Sequence, residues 1–125
     1  MVIEKLPPHD TEAEEAVLAS LLVDPEAVAR VAGTLRPNDF FTQRNGWVYQ
    51  ACLALWERNE AVNELTVAHE LARAGQLEEA GGLTYLSRII AELPTPVGVE
   101  HYARIVERDA LYRRLIGISG QIAQM

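Results

Sequence analysis

An apolar stripe runs down the last stretch of the chain and reaches its final residue without a stop signal. Leu111, Leu115, Ile118, Ile122 and Met125 follow one another at intervals of four, three, four and three residues. That spacing lines one side of a helix, the arrangement by which a helix packs on a partner helix. No C-cap glycine, proline or polar tail follows Met125. The pattern predicts a helix from Val99 to Met125 and a self-association seam along those five residues. It also reads as a piece of a longer protein, a module that holds other helices.

Composition narrows the rest. At 125 residues, 49% hydrophobic and 23% charged, the chain is the size of one globular domain. A domain this long buries roughly two-thirds of its unfolded surface without disulfide or metal staples. The lone cysteine, Cys52, falls within a helical apolar pattern and is expected in the core. No apolar run approaches the ~20 residues of a membrane span, and no signal peptide opens the chain, so a cytoplasmic location is expected. Net charge is −7, with a single lysine, Lys5, among 11 basic residues. Binders of nucleic acid draw most of their affinity from cations that neutralise phosphates. This balance argues against that class and predicts weak, salt-dependent affinity for DNA at most. Arg104, Arg108, Arg113 and Arg114, near Glu107 and Asp109, are expected to form a solvated, mixed-charge face.

The chain otherwise reads as helices joined by short breaks. After Leu6-Pro7-Pro8, Asp10 or Thr11 caps a first helix, with Glu14 completing a capping box from Thr11. Val17, Leu18, Leu21 and Leu22 form its apolar face. Asp24-Pro25 opens a short second helix that runs to about Gly33. Arg36-Pro37-Asn38-Asp39 is a turn, and Phe40-Phe41 should enter the core. A third helix, from Thr42 to about Arg58, is apolar nearly all round (Trp47, Val48, Ala51, Cys52 and Leu55, with Tyr49, Leu53 and Trp56 opposite). Such a helix belongs in the middle of a bundle, with both tryptophans as core or interface anchors. A fourth helix spans roughly Leu65 to Ala74 and stops at Gly75. A loop over residues 76–82 leads to a fifth, with Leu83, Leu86, Ile90 and Leu93 on one face, stopped by Pro94-Thr95-Pro96. With no strand of period two, the fold class is all-α.

The search for chemistry returns no catalytic constellation. No Gly-Lys-Ser/Thr follows Gly75 or Gly81-Gly82, so no nucleotide-binding P-loop is present. His9, His69 and His101 are far apart, and His69-Glu70 lacks the second histidine of a zinc-protease helix. Glu14-Glu15 and Glu78-Glu79 read as helix-start charge and solubility rather than acid/base couples. No catalytic, metal-ligating or cofactor-binding residue is assigned in this chain.

Taken in order, the residues resemble a known family. Leu6-Pro7-Pro8, Glu12-Ala13-Glu14 and Val17-Leu18 look like the opening of the bacterial replicative DNA helicases of the DnaB family. The likeness continues through Pro37-Asn38-Asp39-Phe40 and Val62-Asn63-Glu64-Leu65-Thr66-Val67. Gly81-Gly82-Leu83-Thr84-Tyr85-Leu86, Pro94-Thr95-Pro96 and Tyr102-Ala103-Arg104-Ile105-Val106 complete it, so that nearly the whole chain is covered. Asn63 stands where the family often has aspartate and Val99 where asparagine is common, both positions that can cap a helix.

The resemblance implies an N-terminal domain: a compact helical head over residues 1–98, then the first arm of a long helical hairpin over residues 99–125. It implies that the RecA-like ATPase, with its ATP and magnesium, lies elsewhere in the parent helicase. It further implies self-pairing of heads and hairpins into a collar on a hexameric ring, recruitment of primase through the primase's C-terminal domain, and contact with a helicase loader. The matching primase-binding positions are Tyr85, Ile116 and Ile122. Tyr85 is expected on the side of the fifth helix away from Leu86, Ile90 and Leu93, spare for a partner or else completing the bundle, as the two isoleucines could also do. Tyr102, Ile105, Val106 and Tyr112 can face the head. Gly117 and Gly120, each costing a helix about 1 kcal/mol, fit either a close-packed partner helix or a fraying end. Two other classes stay open: a helix-turn-helix-like nucleic-acid module over Thr66 to Arg88, and an unrelated helical dimerisation adaptor.

Overall fold

The computed structural model describes residues 6–94 and 98–123, and all regular structure among them is helical. Helix α1 (Thr11–Val23) starts where Asp10, in extended conformation, accepts the Ala13 N–H at 3.0 Å. Thr11 is therefore inside the helix, and Glu14 turns away from it to another task. Ala13, Val17, Leu18, Ala19, Leu21 and Leu22 are all buried, because α1 is packed on three sides, by α3 (Gln43–Glu57), α5 (Gly82–Ala91) and α6 (Val99–Ala123). The centre of the bundle is α1.

Helix α2 (Ala27–Val31) begins two residues beyond Pro25. Asp24 explains the delay. Its carboxylate accepts the Glu26 N–H and its carbonyl accepts that of Ala27, which holds Pro25-Glu26 in a turn. After buried Leu35, a 3-10 turn at Pro37–Asp39 leads to Phe40, which is buried, and Phe41, which is not: 37% of Phe41 is exposed. Consecutive side chains leave an extended backbone in opposite directions, so only one of the pair can enter the core.

The third helix, α3, buries Val48, Tyr49, Ala51, Cys52 and Leu55 against α1 and α4 (Glu64–Arg73). The Tyr49 hydroxyl donates to the Leu35 carbonyl at 2.7 Å, and burial pushes its pKa well above the usual tyrosine value. Trp47 and Leu53 are half-buried and Trp56 is 40% exposed, so α3 lies beside the centre rather than in it. Its all-round apolar pattern misleads because α1, richer in small residues, takes the inner position.

Asn63 caps α4 by accepting the Leu65 and Thr66 N–H groups, and the Thr66 hydroxyl oxygen accepts the Asn63 N–H in return. Gly75, at φ +72°, turns the chain out of the helix. In α5 the inward face is Tyr85, Leu86 and Ile89, with Ile90 and Leu93 half-buried and Leu83 41% exposed. The face is rotated from the predicted stripe because α1 and α4 cover α5 from two sides.

Val99, Ala103, Val106 and Ala110 are the buried stripe of α6, and the two alanines let it approach α1 closely. Val99 is thus a core residue and not a cap, and the core of the head extends past residue 98. Tyr102 and Ile105 pack partly against it, whereas Tyr112 is 47% exposed and does not face the head.

Candidate partner-binding surface

From residue 111 onward α6 changes character. Leu111, Tyr112, Leu115 and Ile116 are exposed by 46, 47, 51 and 55%. At about 100° per residue these four sweep an arc of roughly 140°. That arc lies opposite the stripe that binds the head. Leu111 and Leu115 are the described part of the predicted seam; Met125 and the side chains of Ile118 and Ile122 lie outside the described residues. Tyr112, which the spacing assigned to the head, widens the surface and joins Leu111 to Ile116.

The helix is still held to the head at this level. Arg113 donates to the Pro8 carbonyl and to the Asp39 carbonyl, each at 2.7 Å, and Arg114 reaches the Asp39 carboxylate at 3.0 Å. Arg113 also lies 5.5 Å above Phe41, whose ring stacks on His9 at 4.2 Å. These two arginines therefore tie α6 to the Pro7-Pro8 lead and the 3-10 turn. Arg113 is half-buried, which corrects the solvated face expected of it, while Arg114 stays 58% exposed and paired with a carboxylate as expected. Arg104 and Arg108 are exposed as that reading has it, with Arg108 beside buried Asp109 at 3.4 Å. The apolar arc is presented by a docked helix. Its exposure is not a frayed end.

Within the head, Tyr85 is only 4% exposed, which favours the reading that it completes the bundle over that of a spare aromatic. Its hydroxyl donates to Asn45 Oδ1 and lies 3.3 Å from Glu15 Oε2. Its ring is covered by the Arg44 guanidinium at 4.0 Å and flanked by Arg88 at 5.2 Å. Burial, followed by the nearby Glu15 charge, pushes its pKa up to about 12. Gly81, at φ +100°, makes this placement possible: a Cβ there would sit 2.7 Å from that of Tyr85.

Glu14 and Glu15 of α1 are part of the same assembly and not surface charge. Glu14, 1% exposed, accepts the N–H groups of Phe41 and Thr42 and the amide of Asn45. Those backbone donors precede α3 and would otherwise be orphaned at its start. Glu15 accepts from Arg88 at 3.2 Å. Sequence reasoning missed Glu14, although a signal exists. It falls three residues before Val17 and seven before Leu21, on the face that is otherwise apolar.

Other candidates do not converge. Burial pushes the Cys52 thiol up to about 12, far from a reactive thiolate. No three His, Cys, Asp or Glu side chains come together to hold a metal ion among the described residues. No helix there is long and apolar enough to cross a membrane. In the segment open to a helix-turn-helix reading, Arg88 is engaged by Glu15 and Glu92, which leaves that helix no free cation to offer a phosphate.

Comparison with known proteins agrees with this architecture. Residues 6–108 match the family described as DnaB-like helicase N terminal domain. The chain is 43% identical over 121 residues to the replicative DNA helicase DnaB of Geobacillus stearothermophilus, covering 97% of this chain but 27% of that protein. Its fold is similar to the crystal structure of the N-terminal domain of DnaB helicase from Mycobacterium tuberculosis, with a TM-score of 0.92 and 40% identity. That likeness covers 95% of this chain and 85% of the other. It is also similar to a DnaB-like replicative helicase described together with its interactions with primase. There the TM-score is 0.78 at 26% identity, over 92% of this chain and 27% of that one. Sequence, helix order and packing thus agree, and the chain belongs to the DnaB-like helicase N-terminal domain family.

Proposed function

We propose that this chain is the collar and primase-docking domain of a replicative helicase, in which ATP hydrolysis, magnesium binding and DNA unwinding reside in a separate motor domain. The observation that carries the reading is the apolar arc of Leu111, Tyr112, Leu115 and Ile116 on a helix docked to the head. Fully burying one such side chain is worth about 1.5–3 kcal/mol, a gain that a second protein surface supplies. In this proposal Leu111 and Leu115, continued by Ile118, Ile122 and Met125, pair with a neighbouring subunit or a return arm. Ile116 and Ile122, together with the surface over Tyr85, receive primase. The interactions with primase described for the similar helicase support that assignment. A helicase loader is a further expected partner.

Calorimetric titration of the chain with the C-terminal domain of primase tests the reading. Ile116→Ala should weaken binding by roughly tenfold, as truncation of an interface anchor does, with an unchanged melting temperature. Unchanged affinity in Ile116→Ala would remove that residue from the docking surface.

A further inference from the structure

Arg44 stands apart from the other cations of this acidic chain. Arg30, Arg58, Arg73, Arg88, Arg108 and Arg114 each reach a carboxylate. Arg113 donates to two carbonyls, while Arg36 and Arg104 are exposed. Arg44 is half-buried, its guanidinium carbon 4.0 Å from the centre of the Tyr85 ring, and has no carboxylate partner among the described residues. In a chain with 18 acidic residues, a half-buried guanidinium without one is a vacancy in the charge pattern.

The platform beneath it is rigid. Tyr85 is fixed through its hydroxyl by Asn45 and Glu15, and Gly81 closes over the root of the tyrosine side chain. Stacking uses the face of a guanidinium and leaves its in-plane N–H donors pointing outward, in the fork that matches a carboxylate. Little side-chain freedom remains to be lost when an acceptor arrives. Arg88, the second cation beside the same ring, differs because Glu15 and Glu92 already occupy its donors.

We infer that Arg44 is a specificity-determining contact: it receives an aspartate or glutamate side chain of the protein partner that docks over Tyr85. The inference rests on the primase-docking reading above and adds to it the chemistry that the partner must bring. A phosphate could fill the same fork, but a net charge of −7 opposes a nucleic acid and not a single carboxylate on a protein surface.

Titration of wild type, Arg44→Lys and Arg44→Ala with the primase C-terminal domain over a range of salt concentrations tests this. Arg44→Ala should lose roughly tenfold or more in affinity, the usual scale for a charge-assisted hydrogen bond, and much of its salt dependence. Arg44→Lys should recover only part of the loss, because an ammonium cannot reproduce the fork. Arg44→Ala should melt only slightly below wild type, through the lost ring contact, because Arg44 covers Tyr85 from outside the core. Wild-type affinity and salt dependence in Arg44→Ala, with Ile116→Ala still weakened, would overturn the inference while leaving the docking reading in place. Absence of binding by wild type would overturn both. Single-stranded DNA that bound wild type but not Arg44→Ala would reassign the site to a phosphate and overturn the carboxylate.

Discussion

From Val99 to Ala110 the last helix lays two valines and two alanines against the head, whereas over residues 111–116 it holds larger aliphatic and aromatic side chains half out in water. The apolar content of the two halves is similar, but their angular placement is not. In the first half the buried apolar residues lie on the side facing α1; Leu111, Tyr112, Leu115 and Ile116 lie on the opposite side, while Arg113 and Arg114 take over the attachment. The same helix thus serves one core within the chain and offers a second face outward. Burial by this chain alone accounts for the first and leaves the second without a partner.

The sharpest way to break that contrast is to place a charge on each side. Val106→Asp puts an unpaired carboxylate where 2% of the side chain is exposed, and should cost about 3 kcal/mol or more, enough to unfold a marginal domain. Leu115→Asp, at a half-exposed position, should change stability by about 0.5 kcal/mol or less. Thermal melts of the two variants compare them directly. Equal destabilisation would mean that residue 115 belongs to the core of the head.

A smaller but still large effect is expected where the head joins α1 to α3. Glu14→Leu leaves the Phe41 and Thr42 N–H groups and the Asn45 amide without their acceptor. Leaving buried donors unsatisfied costs about 1–3 kcal/mol for each such group, partly recovered by water and relaxation. Denaturant unfolding should show a lower midpoint, and hydrogen exchange should quicken at Phe41 and Thr42. Unaltered exchange there would show that the carboxylate does not hold the start of α3.

What was legible in the sequence and what was not divides along the same lines. Helix number and order, the Asn63 cap, the Gly75 stop and the buried face of α1 follow from local spacing and turn chemistry, which act within a few residues. The resemblance to helicase N-terminal domains was legible because short motifs recur in order along most of the chain. Faces were read less well where two neighbours cover one helix. The rotation of α5, the exposure of Trp56 and the outward turn of Tyr112 depend on which helix takes the centre, and no single helix's periodicity contains that information. The roles of Glu14, Arg113 and Arg114 were hidden because their partners lie 27 to 105 residues away in sequence. Tyr85 lies off the Leu83, Leu86, Ile90 and Leu93 stripe, which leaves it open between a partner and the bundle; the inward face of α5 is rotated to Tyr85, Leu86 and Ile89.

The smallest effect concerns the surface of the head. Arg58 donates to Glu70 at 2.8 Å, and that hydrogen bond holds the Glu70 carboxyl below its usual value of 4.5. A lowered folded-state value means that the stabilisation is complete above pH 4.5 and disappears as pH falls through the lower value. The melting temperature of wild type should therefore slightly exceed that of Glu70→Gln near neutral pH. The gap should close in acid. A gap that persists at pH 2 to 3 would mean that Glu70 acts through packing instead of charge.

Sedimentation equilibrium of wild type against Leu111→Glu/Leu115→Glu, over a wide range of concentration, tests most directly whether the outward face of α6 is an interface. Wild type should associate beyond the monomer as concentration rises, and the double variant should stay monomeric while retaining the helical circular dichroism and melting temperature of wild type. Wild type and variant that are both strictly monomeric at every concentration would contradict the account, as would a variant that associates as wild type does.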